Sequence, residues 1–316
     1  MELQVSPTDV REEIHSGTSF IEANTLAMSL DEIKNNHIIP VFSRDNEPLI
    51  SQTQFIECVM DALRLPFERE VISEPQIRLS HPIKGRIPEA RNKAAKELLP
   101  HEETIYYERA IFKVDIPSIQ KTIDSENLCL SVGGIKAYNL DSIGKRSTSP
   151  QHFTVYIVFK NTVCANMCLW SDGSVLKTTV TSLSELSWKI ERLFMGFQFQ
   201  EALGKMSLWQ SQFLSIEQVA HILGRLRLFS AVPKEERESI FQVEITDSQM
   251  TTVARNFHSK VTEDHSINLW QFYNLLTAAI KTSYIDSYVD RSINCFAFVD
   301  HLSSHLREGE SSWYLL

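Results

Sequence analysis

Residues 153–160 read FTVYIVFK. Phe153, Val155, Ile157 and Phe159 alternate with Thr154, Tyr156 and Lys160. A period of two is that of a β-strand, and this alternation predicts a strand with one buried face. The same period recurs upstream, where Phe112, Val114 and Ile116 alternate with Lys113 and Asp115. Between them lies LCLSVGGIKAYNLD (128–141). Its apolar positions 128, 130 and 132 continue at 135 and 137, so the parity slips at Gly133-Gly134. A bulge or tight turn there accounts for the slip. Downstream, WSDGSV (170–175) holds Asp172-Gly173, a strong hairpin signal expected to join strands near 163–170 and 175–181.

Outward from this core the period becomes helical. Ser51 and Gln54 form a capping-box pattern, and Phe55, Val59, Met60 and Leu63 share a face, which predicts a helix over 52–64. The upstream turn is read at Asp45-Asn46-Glu47-Pro48. Beyond 181, Ser182 with Glu185, Ser215 with Gln218, Thr246 with Gln249 and Ser283 with Asp286 each mark a helix start. The expected fold is α+β: a central, mostly antiparallel β-sheet over about 105–181, an N-terminal helical segment and a C-terminal helical region. A flexible tail is expected over 1–25, and one α+β domain over 26–316, sheet-rich over 100–181 and helical over 182–308.

The 316 residues are 43% hydrophobic and 22% charged, which is ordinary for a folded chain and too apolar for wholesale disorder. The net charge is -9, so any nucleic-acid contact must be local. MELQVSPTDVREE lacks the basic and apolar regions of a secretory signal, and no apolar run approaches the roughly 20 residues of a membrane span. A cytoplasmic protein without membrane contact is expected. Five cysteines, widely spaced and odd in number, read as reduced thiols.

Against this acidic background, IRLSHPIKGRIPEARNKAAKELL (77–99) stands out with six Lys or Arg and two Glu. Pro82, Gly85 and Pro88 predict an extended loop over 78–87. Ala90, Ala94, Ala95 and Leu98 predict one buried face of a following helix running to about 99. Loop amides, a helix N-terminus and guanidinium groups can converge on a phosphate. The candidate nucleic-acid or phosphate contacts are Arg78, His81, Lys84, Arg86 and Arg91. The competing reading is a solvated charge run, with Glu89 in the first helical turn where an anion would bind.

Other constellations favour packing over chemistry. Gly133-Gly134 with Lys136 lacks both phosphate-loop spacings. Cys164 and Cys168, four apart on an expected strand, would lie about 13 Å from each other, too far to share a metal. His301 and His305 lack the Glu of a zinc-protease helix. LSIEQVAHILG (214–224) opens like a helix-turn-helix, but an apolar, proline-broken and acidic stretch follows it. Trp270, Phe272, Tyr273, Tyr284 and Tyr288 are mostly at core spacing, and Arg291 with Asn294 reads as a functional polar row or a buried network. No metal site, cofactor or catalytic residue is assigned.

HIIPVFSRDNEPLIS (37–51), IRLSHPIKGRIPEARNK (77–93), YYERAIFKVDIPSIQ (106–120), LSVGGIKAYNLD (130–141), FKNTVCANMCLW (159–170) and residues 268–299 together resemble a Bacteroides-type family, domain of unknown function 3871. The resemblance covers about 35–316 and implies no activity. VCANMC and NLWQFYNLLT are also similar to the phage/plasmid-like family, domain of unknown function 932, which implies a role around mobile DNA. The expected function is that of a mobile-element-associated protein binding nucleic acid, or a nucleic-acid-handling partner, through 78–96. One alternative is a non-enzymatic interaction module such as a host-defence inhibitor. The other is a nucleotide- or phosphodiester-directed enzyme, with Glu108, Asp115 or Asp141 converging on the basic loop.

Overall fold

The structure is a computed structural model describing residues 19–36, 49–141, 150–171 and 173–315. The turn expected at 45–48, the tail residues 1–18 and Asp172 lie outside the described residues. Phe20 and Ile21, in the last part of the expected tail, are buried.

The chain begins with strand β1 (Leu26–Met28), helix α1 (Leu30–Asn36) and helix α2 (Gln52–Arg64). The α2 bounds match the sequence pattern because its start is local. Ser51 Oγ accepts from the Gln54 amide at 3.1 Å, and Gln54 Oε1 accepts from the Ser51 amide at 2.9 Å. Such a cap stabilises by about 1 kcal/mol.

Strands β2 (Gln76–Leu79), β3 (Pro82–Arg86), β4 (Glu103–Tyr107), β5 (Arg109–Ile123), β6 (Glu126–Ala137), β7 (Gln151–Asn161), β8 (Met167–Cys168) and β9 (Val175–Val180) follow. Six of them join β1 in one seven-stranded antiparallel sheet in the order β1-β2-β5-β6-β7-β8, with β9 also paired to β7. The meander is built on local turns. Asp124 and Ser125, at φ 49° and 63°, join β5 to β6. Two left-handed residues make the hairpin turn whose twist matches the strands.

Four expectations are corrected here. The strands do not leave one face in water: Lys113 and Asp115 are buried along with Phe112 and Val114. Helix α2 covers one face, with the Phe55 ring 5.4 Å from Phe112 and 4.9 Å from Phe153. The C-terminal helices and the segment around Phe20 cover the other. No bulge lies at Gly133-Gly134, where the β5–β6 register runs unbroken; the shift falls between Ile116 and Gln120, around Pro117, which cannot donate to the ladder. The glycines are instead places of close approach: a Cβ on Gly133 would lie 2.1 Å from the Phe112 carbonyl oxygen. Nor does Asp172-Gly173 lie between two paired strands. Strands β8 and β9 both pair with β7 rather than with each other. Cys164 is not on a strand: the Asn161 side-chain oxygen accepts from the Val163 and Cys164 amides and folds that segment into a turn.

The helical third holds α3 (Leu183–Gly196), α4 (Gln200–Trp209), α5 (Ile216–Leu228), α6 (Lys234–Arg237), α7 (Asp247–Phe257), α8 (Leu269–Ile280) and α9 (Ile285–Glu308). A short ribbon of β10 (Phe213–Ser215) and β11 (Ser266–Asn268) ties α5 to α8. The caps at Ser182, Ser215 and Thr246 form as expected. The one at Ser283 does not: α9 begins after Tyr284 without a side-chain cap, and Ser283 Oγ accepts from Gln249 Nε2 at 2.8 Å. Arg291 joins the same network, and the Asn294 side chain bonds the backbone of Gln242 and Glu244, so the polar row is structural. Trp270, Phe272, Tyr273 and Tyr288 are core, and Tyr284 is exposed. Helix α5 buries Val219, Ile222 and Leu226, as an ordinary packing helix does.

Candidate functional site

The basic stretch is neither an open loop nor the start of a buried helix. In the sheet, Leu79 pairs with Ala110; three residues further along each strand, Pro82 pairs with Tyr107, and the pairing runs on to Arg86 and Glu103. The register offset is unchanged, so β2–β3 and β4–β5 are one long hairpin. The Ser80 amide donates to the Arg109 carbonyl at 2.9 Å across the joint. Strand β1 stops at Leu79 and β6 at Arg109. Beyond those residues the hairpin has no neighbouring strand among the described residues, and it forms a two-stranded arm.

The tip replaces the expected helix with three short 3-10 turns, at Pro88–Ala90, Ala95–Glu97 and Pro100–Glu102. Ala90 is buried, but Ala94 and Ala95 are exposed. Among the described residues a helix here would bury no continuous face, since Ala94, Ala95 and Leu99 stay exposed, and most helical stability comes from such a face. Charges knit the tip instead. Arg86 donates to the Lys93 carbonyl, and the Lys93 ammonium pairs with Glu102. The Leu99 amide and that ammonium hold the Glu102 carboxyl below the usual carboxylate range.

The five candidate residues are therefore distributed. Arg78 is at the base, on β2, and turned to the segment before β1: its Nε and a terminal nitrogen donate to Thr25 Oγ1 and the Thr25 carbonyl at 3.0 and 2.9 Å. Burial lowers its pKa. His81 is exposed at the joint, Lys84 is on β3 with Glu103 at 3.9 Å, Arg86 bonds inward, and Arg91 is exposed at the tip. Arg91 and Lys96 have no ion-pair partner among the described residues. Over residues 81–107 five Lys or Arg stand against four Glu.

The three carboxylates considered for catalysis bond elsewhere. Glu108 pairs with Arg109 at 2.8 Å. Asp115 is buried with Lys113, Lys160 and Ser131. Asp141, almost wholly buried, takes Lys136 Nζ at 2.6 Å on one oxygen, and the His152 amide and ring Nδ1 at 2.7 and 3.2 Å on the other. His152 carried no sequence signal, since it meets Asp141 over 11 residues, and Lys160 reaches Asp115 only across strands.

The same region opens a cleft of about 470 Å³ between β7, β9 and the start of α9. His152, Lys177, Asp286 and Asp290 border it, with Ile135, Leu140 and Val289 as apolar wall. Among the described residues no three His, Cys, Asp or Glu side chains gather for a metal ion, and no helix is long and apolar enough to cross a membrane. The paired histidines of α9 are 4.2 Å apart between ring centres, and the His301 ring also stacks on Phe241.

No curated protein and no solved structure matches the chain. A family profile matches residues 8–315, nearly the whole length, and the chain belongs to the family described as "Domain of unknown function, B. Theta Gene description (DUF3871)".

Proposed function

We propose that this protein is a binding module that engages nucleic acid, or a nucleic-acid-handling partner, through the arm formed by β2–β3 and β4–β5. The observation that carries this reading is the unbroken register from Leu79–Ala110 to Arg86–Glu103, which extends two strands past the sheet. A two-stranded ribbon is of a size to enter a duplex groove, and backbone phosphates supply most of the affinity in such contacts. His81, Lys84, Arg91 and Lys96 are the exposed donors. Arg78 and Arg86 hold the arm's base and tip. The association with mobile elements rests on the similarity of VCANMC and NLWQFYNLLT alone.

Salt titration of binding to single- and double-stranded DNA and RNA tests this. Three phosphate contacts on duplex DNA give a slope of about -2.7 in log K against log salt. Replacing Lys84, Arg91 and Lys96 with Ala should abolish that slope. Absence of binding at low salt, or binding indifferent to the triple substitution, refutes the proposal.

A second reading has its own observation. The near balance of charge on the arm, and strand edges that pair with no further strand among the described residues, suit a protein that adds a strand. Capture of a protein partner that survives nuclease treatment and is lost on removing the arm favours it.

A further inference from the structure

The arm has two unlike faces. Residues directly opposite each other in an antiparallel ladder point to the same side, and successive residues alternate. Lys84 therefore shares a face with its partner Ile105, and Gly85 shares the other with Thr104. The Thr104 face is closed: Thr104 is 2% exposed, and Ile83 and Gly85 are half-buried. The Lys84 face is open, with the Lys84 side chain 76% exposed and Ile105 38% exposed. Glu103, next on that face along β4, is exposed too, and its carboxylate lies 3.9 Å from the Lys84 ammonium. Arg86, opposite Glu103, turns back to the Lys93 carbonyl.

The open face thus sets a cation, a carboxylate and a branched apolar side chain side by side. Phosphates alone do not call for that set. The carboxylate repels them, and an isoleucine finds no apolar surface on them. The floor of a major groove matches it. There thymine shows a C5-methyl group, and cytosine and adenine show amino groups from which a carboxylate accepts. The major groove of B-form DNA, about 12 Å wide, admits a ribbon whose two strands lie about 4.8 Å apart. The major groove of an A-form RNA duplex is too deep and narrow for side chains to read. Side-chain length sorts the contacts. The long Lys84 stem carries its ammonium to a phosphate, as do the exposed Arg91 and Lys96 at the tip, while the shorter Ile105 meets the floor.

We propose, resting on the arm as a nucleic-acid contact, that its open face enters the major groove of B-form DNA and that Ile105 packs on thymine methyl groups. Ile105 is then a specificity-determining residue, and Lys84, Arg91 and Lys96 position the arm without reading sequence. The near balance of charge on the arm follows from this division: few cations are needed to hold the register, and Glu103 and Ile105 face bases.

The experiment measures binding of the full chain to the alternating duplexes poly(dA-dT), poly(dA-dU) and poly(A-U), by fluorescence anisotropy at low salt. The first two differ only in the thymine methyl group, and the third is A-form RNA. The expected result is about fourfold tighter binding of poly(dA-dT) than of poly(dA-dU), the worth of one buried methyl group, and weaker binding of poly(A-U) than of either. Ile105→Ala should bind the two DNA duplexes alike, and Ile105→Val should keep the preference. Circular dichroism melting shows that each variant is folded at the assay temperature. Equal binding of poly(dA-dT) and poly(dA-dU) by the parent, a preference kept by folded Ile105→Ala, or poly(A-U) bound as tightly as DNA overturns the groove assignment and leaves the arm a phosphate contact. Binding of no duplex refutes the arm as a nucleic-acid contact, and the groove assignment with it.

Discussion

Lys113 Nζ lies 2.8 Å from Asp115 Oδ2 inside the sheet, and Lys160, from β7, reaches the same oxygen at 2.6 Å. Two cations thus share one carboxylate in a buried layer, and Ser131 Oγ donates to its other oxygen at 2.6 Å. Removing the carboxylate leaves both ammonium groups without a counter-charge. Asp115→Asn should destabilise the fold by about 3–5 kcal/mol, measured by urea unfolding. A loss under about 1 kcal/mol would show that water reaches the cluster.

Burial pushes the Lys113 pKa down to about 8, against the opposing pull of Asp115. In the unfolded chain the group titrates near 10.4. Between those values the unfolded state holds the extra proton, so this group's contribution to stability rises with pH. Lys113→Met removes that contribution. From pH 7.5 to 9.5 the stability of the native chain relative to Lys113→Met should therefore increase, read from paired melting curves. A constant or falling difference would contradict the assignment.

Gly133 has no room for a methyl group: its Cβ would meet the Phe112 carbonyl at 2.1 Å and the Tyr156 hydroxyl at 2.6 Å. The Tyr156 hydroxyl also donates to that carbonyl at 2.7 Å. Gly133→Ala should cost more than about 2 kcal/mol, since backbone cannot yield as a side chain does. Gly224, in α5, has open space around its Cβ position. Gly224→Ala should stabilise by about 0.5–1 kcal/mol, and differential scanning calorimetry of both variants makes the comparison.

The arm's ladder is separable from the sheet. Replacing residues 84–105 with Asn-Gly joins Ile83 to Tyr106, which pair in the structure. The shortened chain should keep its far-ultraviolet circular dichroism and melt within a few degrees of the parent, while losing polyanion binding. Unfolding of the shortened chain would mean that the arm supports the core.

Ser283 tests a local expectation against a tertiary one. Its hydroxyl accepts from Gln249 and is reached by Arg291 at 3.3 Å. Ser283→Ala should cost about 1–3 kcal/mol and be coupled to Gln249→Ala in a double-mutant cycle. Ser215→Ala, at a true cap, should cost about 1 kcal/mol and show no such coupling.

Helix α2, the caps at Ser182, Ser215 and Thr246, the period-two strands and the α+β plan were all legible in the sequence. Each depends on residues within a few positions of one another: a cap spans three residues, and a strand's parity spans two. The Ser283 pattern had the same spacing and failed because Gln249, 34 residues away, competes for the hydroxyl. What covers each face of the sheet was not legible, so Lys113 and Asp115 read as solvated. Nor was the arm, whose two halves are joined by register across 76–113. The cleft was equally hidden, since His152 meets Asp141 over 11 residues and Lys177 meets Asp290 over 113. Local hydrogen bonding and periodicity determine where elements start and which period they follow. Only the packed chain decides which polar groups lose their water and must find partners, and the partners found there are set by topology rather than by spacing.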